Sequence, residues 1–134
     1  MGCDIHAFFE VKLKSKWHCY TQPNIARDYR LFGKMAGVRG DGRAAIAPGR
    51  GLPADISAVV QFEANHWEGD GHSHSWLTSP EIAELSEWLT HEGGDMETDW
   101  GCYLVGNSFE DFEKYPAERP PGLEGVRLVF WFDN

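Results

Sequence analysis

Apolar and polar residues alternate from Cys3 to Leu13, with Phe8 as the exception. Cys3, Ile5, Ala7, Phe9, Val11 and Leu13 fall on one face, and Asp4, His6, Phe8, Glu10 and Lys12 on the other. A period of two marks a β-strand with one face against a core. Lys14-Ser15-Lys16 then turns the chain into a second short strand, Trp17 to Thr21, so the chain opens with a hairpin. After Pro23 the pattern becomes helical. Asp28 is placed as a cap, Leu31, Phe32 and Met35 share one side, and Gly37 can end the helix. The glycine- and proline-rich run at 38–55 reads as a long loop, and loops of that length in small domains tend to carry function. A strand is expected at Ile56 to Ala64. Thr78-Ser79-Pro80-Glu81 has the spacing of a capping box with an early proline. The helix it opens carries Ile82, Leu85, Trp88 and Leu89 on one stripe and ends near His91, ahead of Gly93-Gly94. A short strand around Cys102 to Val105, a helical turn at Ser108 to Tyr115 and a last strand through Val126, Leu128, Phe130 and Phe132 complete the pattern. The order β-β-α-β-α-β-β predicts an α+β fold, with a mainly antiparallel sheet, an N-terminal hairpin and about two helices packed on one side.

Composition narrows the class. A chain of 134 residues, 42% hydrophobic and 25% charged, reads as one globular domain spanning 1–134. No apolar run approaches the roughly 18 residues that cross a membrane, and no secretory pattern opens the sequence, so no membrane partner is expected. Three cysteines without Cys-x-x-Cys spacing suggest neither a disulfide framework nor a zinc knuckle, which makes a reducing cytoplasm the expected setting. The net charge of −9 argues against binding duplex nucleic acid. That total conceals an asymmetry: residues 1–52 carry nine Lys/Arg against four Asp/Glu, a balance of +5, and residues 53–134 carry three against seventeen, a balance of −14. The first half can therefore build a local anion pocket inside an acidic protein.

Potential chemistry concentrates in HWEGDGHSHSW, where His66, Glu68, Asp70, His72 and His74 recur at every second position. Imidazole and carboxylate together suit an open, catalytic type of metal site. Gly69 and Gly71 favour a loop, and its natural complement is the Asp4/His6 pair on the polar face of the first strand. Asp4, His6, His72 and His74 would then hold a divalent metal ion such as zinc, which lowers the pKa of bound water to about 7. Glu68 is a candidate general base, with Asp70 as a second catalytic carboxylate. Five arginines lie between positions 27 and 50. Arg39, Arg43 and Arg50, in the glycine-rich loop, are the candidates for neutralising a phosphate, and Trp67 for stacking on a ligand ring. No P-loop, dinucleotide fingerprint or nucleophile elbow is present.

The opening MGCDIH, RGLPADIS at 50–57, HSHSWLT at 72–78 and the ending VRLVFWFDN carry a resemblance across nearly the whole chain. In these segments the chain resembles a group of small uncharacterised proteins encoded by phages and prophages. The resemblance implies a mobile-element origin and a bacterial cytoplasm but no activity and no catalytic residues; small acidic phage accessory proteins often act against host defences. Two functions follow as expectations. One is a metal-dependent hydrolase of a phosphate-containing or nucleotide-like small molecule. The other is a binding protein without turnover, which sequesters an anionic nucleotide or blocks a host defence protein through its acidic surface.

Overall fold

The alternating N-terminal run forms strand β1, Asp4–Leu13, and the chain reverses into β2, Lys16–Thr21, in a computed structural model that describes residues 2–40, 45–92 and 121–134. Leu13 pairs with Lys16, which leaves a two-residue turn at Lys14 and Ser15. Both sit at positive φ, 51° and 62°, the geometry whose twist matches that of the flanking strands. The Ser15 N–H donates to the Glu124 carboxylate at 2.8 Å, which steadies a turn that has no glycine.

Helix α1, Tyr29–Ala36, starts and stops where the sequence predicts. The Asp28 carboxylate accepts from the N–H groups of Arg30 and Leu31, and Gly37, at φ 74°, donates its N–H to the Gly33 carbonyl. Where a strand was expected at Ile56 to Ala64, the chain forms helix α2, Ala58–His66. Its β-branched residues suit either element, and tertiary contacts decide: Val60 and Ala64, one helical turn apart, are both buried. A turn over 67–70 leads into strand β3, His72–Thr78, so the second half of the histidine stretch is strand and only the first half is loop. Helix α3, Ser79–Glu92, follows directly. Its capping box is formed as predicted, with the Thr78 N–H donating to the Glu81 carboxylate at 2.8 Å. The last strand, β4, spans Leu123–Asp133. The short strand predicted near Cys102 and the turn at Ser108 to Tyr115 lie outside the described residues.

The strands form one antiparallel sheet in the order β2-β1-β4-β3, so the last strand in sequence lies between the first and the third. The fold is α+β with an N-terminal hairpin, as the pattern predicts. Two helices cover one face: Leu31, Phe32 and Met35 of α1 and Ile82 and Leu85 of α3 pack on Ala7, Phe9, Val11, Leu128, Phe130 and Phe132. The third helix, α2, lies on the opposite face, where Val60 and Ala64 meet Phe8, Val129 and Trp131. That second layer explains why Phe8 breaks the polar face of β1. Each large apolar side chain so buried contributes about 1.5–3 kcal/mol.

The second layer rests on a buried ion pair. Glu10 and Arg127 face each other in the β1–β4 register, and both are almost completely buried. The Glu10 carboxylate accepts from Arg127 Nε at 2.6 Å and from the Ser57 N–H, just ahead of α2, at 2.8 Å. Arg127 also donates to the Asp55 side chain at 2.7 Å, and its guanidinium lies 4.0 Å from the Trp17 ring centroid and 5.8 Å from that of Trp76. The carboxylate sits at the positive end of α2, where the helix dipole favours it. Removing one partner of such a pair strands a buried charge, at a cost of about 3–5 kcal/mol. Glu10→Ala and Arg127→Ala are each expected to lower unfolding stability by that amount in urea titration. The paired replacement Glu10→Leu with Arg127→Met should cost less than either, because no charge is left alone.

Candidate functional site

His6, His74 and Trp67, three of the residues singled out in the sequence, gather at one end of the sheet on the face that α2 covers, while His72 lies on the opposite face against Phe132. His6 on β1 is the direct register partner of Trp131 on β4. His74 on β3 flanks Trp131 from the other side, and each imidazole centroid lies 6.0 Å from the indole, in stacked orientation. Trp67, in the turn after α2, stacks on His6 at 4.2 Å. Nε2 of His6 is hydrogen-bonded to the Asp133 carboxylate. His72 bonds to Asn134 at 3.0 Å and to the Ser73 hydroxyl at 2.9 Å. Between the two histidines Ser73 takes φ 56°, and the register with β4 shifts. This left-handed bulge lets His72 stack on Phe132 while His74 turns to Trp131. Gly71 leaves room for the crowding beside it: a Cβ there would meet the Trp67 carbonyl at 3.2 Å and His74 Nε2 at 3.4 Å. Burial, and then the neighbouring His72, push the His74 pKa below the ordinary histidine value, so its ring favours the neutral form. The indole N–H of Trp131 is buried without a hydrogen-bond partner among the described residues.

The four-residue metal set predicted from Asp4, His6, His72 and His74 is not assembled. Strand β4 separates β1 from β3, and two inter-strand steps of about 4.8 Å keep His6 and His74 roughly 10 Å apart at the backbone. An ion bound by both at about 2.0–2.1 Å would have to pass through the Trp131 ring. Asp4 is engaged elsewhere, in a two-pronged ion pair with Arg27 at 2.8 and 2.9 Å. Among the described residues, no group of three or more His, Cys, Asp or Glu side chains is arranged to hold a metal ion. The predicted catalytic carboxylates, Glu68 and Asp70, are exposed on the 67–70 turn. His66 is likewise exposed at the end of α2, with its ring edge-on to Trp67.

The arginines disperse as well. Arg50 reaches across β3 to the Glu81 carboxylate with two bonds of 2.7 and 2.8 Å, donates to the Trp76 carbonyl at 2.7 Å and covers the Trp76 ring. It fastens the loop to the start of α3 and is not presented to a ligand. Arg43 lies outside the described residues. Among the described residues, Arg39 is the predicted substrate-binding arginine that lines a cleft. Its guanidinium lies 5.3 Å from the Tyr29 ring centroid, on a backbone held at φ 53°.

That cleft lies between α1, the 37–40 turn and α3, on the far side of the helices from the sheet. It is lined by Arg30, Lys34 and Arg39, by the rings of Tyr29 and Trp88, and by the backbone of Gly33 and Gly40, and its cavity measures about 90 Å³. Its shape depends on a glycine contact: a Cβ on Gly33 would fall 2.7 Å from the Gly40 Cα. The turn can therefore lie flat on α1 and bring Arg39 beside Tyr29. Helical spacing places Tyr29, Arg30, Gly33 and Lys34 on one stripe of α1, opposite the apolar stripe of Leu31, Phe32 and Met35. The sequence held this signal, since a polar helix face with two cations and a glycine was legible beside the apolar one. Lys34 and Trp88 become site residues only through the packing of α3.

No protein-family model matches this chain, and none of the curated proteins or solved structures compared with it shows significant similarity. Among the described residues no helix is long and apolar enough to cross a membrane.

The Arg50–Glu81 bond makes a pH prediction. Hydrogen bonding from Arg50, the largest influence, together with the Thr78 bonds, holds the Glu81 carboxyl below its ordinary pKa. A folded-state pKa below the unfolded one stabilises the protein above the unfolded value, about 4.3, and that contribution fades as pH falls through the folded one. Urea midpoints should therefore drop as pH is lowered below about 4.3, and Glu81→Gln should show a shallower drop from a lower starting stability.

Proposed function

We propose that this protein binds a small anionic molecule without turning it over, in the cleft between α1 and α3. The observation that carries this reading is the gathering of Arg30, Lys34 and Arg39, the two arginines already engaged by other groups that an anion would share, on one cleft of a chain whose net charge is −9. Guanidinium and ammonium groups are the side chains that hold phosphate and carboxylate, and surrounding negative surface would otherwise repel such a ligand. Hydrolysis assisted by a bound metal is the weaker reading, because an indole stands between the two imidazoles that would share the ion. The resemblance of the chain to small phage and prophage proteins supports a setting in the bacterial cytoplasm. There the anion would be a nucleotide-like signal of the host's defences, held away from its effector.

Isothermal titration at low salt with inorganic phosphate and pyrophosphate tests the reading. Both should bind, pyrophosphate more tightly, and affinity should fall as salt is raised. Lys34→Ala and Arg39→Ala should each weaken pyrophosphate about tenfold, the loss of one charge-assisted hydrogen bond. Gly33→Ala keeps every charge but forces the 37–40 turn off α1, and should weaken binding comparably. Undetectable binding of both anions, or wild-type affinity in Lys34→Ala and Arg39→Ala together, would reject the proposal.

A further inference from the structure

We propose that the outer face of helix α2 docks a partner protein that presents an apolar patch ringed by lysine or arginine. This surface lies on the other side of the sheet from the cationic cleft and does not depend on it. Helix α2 is apolar on two opposite sides. Val60 and Ala64 are buried against the sheet, and helical spacing turns Val59 and Phe62 away from them, together with Ala58, Asn65 and His66. Val59 is 56% exposed and Phe62 72%, the two most exposed large hydrophobic side chains among the described residues. A surface helix ordinarily keeps charged groups on its outer side. The outer side of α2 has no acid or base other than His66, and the helix's one carboxylate, Glu63, is half-buried on the flank. A single exposed apolar residue is ordinary, but two within one turn of such a helix form a stripe of the kind that a partner covers.

Charge selects the partner. From Gly51 to Gly71, which takes in the end of the long loop, α2 and the turn after it, the chain carries four carboxylates and no Lys or Arg. Asp55 stands just ahead of the helix, Glu63 on its flank, and Glu68 and Asp70 in the turn beyond, with Asp55, Glu68 and Asp70 exposed. Asp55 is shared with Arg127, but that guanidinium is buried beneath it while the Asp55 side chain stays 66% exposed. Lys12, on the same face of β1, lies over the Trp17 ring at 5.9 Å, toward the hairpin turn. The stripe is therefore apolar at its centre and negative at both ends. A second copy of this chain would set carboxylates against carboxylates, and like charges so placed oppose the contact. A basic partner gains twice: its cations meet the rim and steer the encounter, and its apolar patch takes Val59 and Phe62 out of water.

Three labelled amphipathic helical peptides of equal length separate the parts: one with a Leu face and a Lys face, one with Glu in place of Lys, and one with Ala in place of Leu. In fluorescence anisotropy at low salt the wild-type protein should bind the Leu/Lys peptide, bind the Ala/Lys peptide about tenfold more weakly, and not bind the Leu/Glu peptide. Phe62→Ser, checked for folding by circular dichroism, should weaken the Leu/Lys peptide about tenfold, the loss of one ring from the contact. Glu68→Gln together with Asp70→Asn should weaken it at low salt and flatten its salt dependence. Equal wild-type affinities for the Leu/Lys and Ala/Lys peptides would overturn the proposal without reliance on any variant, as would equal binding of the Leu/Glu peptide or no binding at all. Unchanged Leu/Lys affinity in Phe62→Ser would place the peptide elsewhere and overturn it too. So would a wild-type protein that sediments as a dimer beside a monomeric Phe62→Ser, because a second copy would then cover the stripe.

Discussion

The pairing of Glu10 with Arg127 is the interaction on which the second layer of the fold depends. Two opposite charges stand at facing positions of the central strands, where every neighbour along the strand is apolar. An isolated charge there would be prohibitively costly. With Ser57, Asp55 and the two tryptophans around them, the charges instead become the anchor for everything from the end of the long loop to helix α2. The pair supplies geometry more than net stability: a helix whose N-terminus must meet one buried carboxylate has one place to dock.

That docking sets the character of the two ends of the same face. At one end the charged pair is enclosed by Trp17 and Trp76. At the other, His6, Trp131 and His74 stand in a row across three strands, with Trp67 of the turn after α2 laid over His6. The row is an aromatic ladder in which imidazoles take part as flat rings. His6 of the row bonds to Asp133, and His72, on the other face, bonds to Asn134, so the histidines secure the final strand rather than converge on a common point. The opposite face carries the thicker helical layer, and the outer surface of that layer carries the cleft. The His6–Trp131–His74 row and the cationic cleft therefore lie on opposite sides of one sheet.

The candidate site was only partly legible in the sequence, for reasons that particular residues make plain. The expected pairing of the Asp4/His6 face with the histidine stretch brings His6 and His74 to one end of one face and leaves His72 on the other. It failed on strand order, because nothing local in the chain says that Val126 to Phe132 inserts between β1 and β3. Arg39 was singled out as a ligand-binding arginine and does line a cleft. Arg50, indistinguishable from it by composition and spacing, is spent on Glu81, since only the packing of α3 brings that carboxylate within reach. Glu10 was recorded as one more polar residue on the first strand. Its partner could have been sought in Arg127, an opposite charge within the otherwise apolar run from Val126 to Phe132.

By itself the sequence determined whatever is written at short range. The alternation of β1 and β4, the Asp28 and Thr78 caps, the left-handed stop at Gly37 and the tight hairpin are all local, because period and capping depend on residues a few positions apart. The tertiary structure alone decided what depends on distant partners. It made residues 58–66 a helix although Val59 and Val60 suit a strand equally well, because a buried carboxylate 47 positions earlier accepts the Ser57 N–H that precedes the helix. It also set an indole between two histidines, and it turned the polar stripe of α1 into the floor of a cleft by bringing Trp88 and the 37–40 turn against it. Such contacts cross large sequence separations, and hydrophobic patterning states which residues must be buried without stating against what.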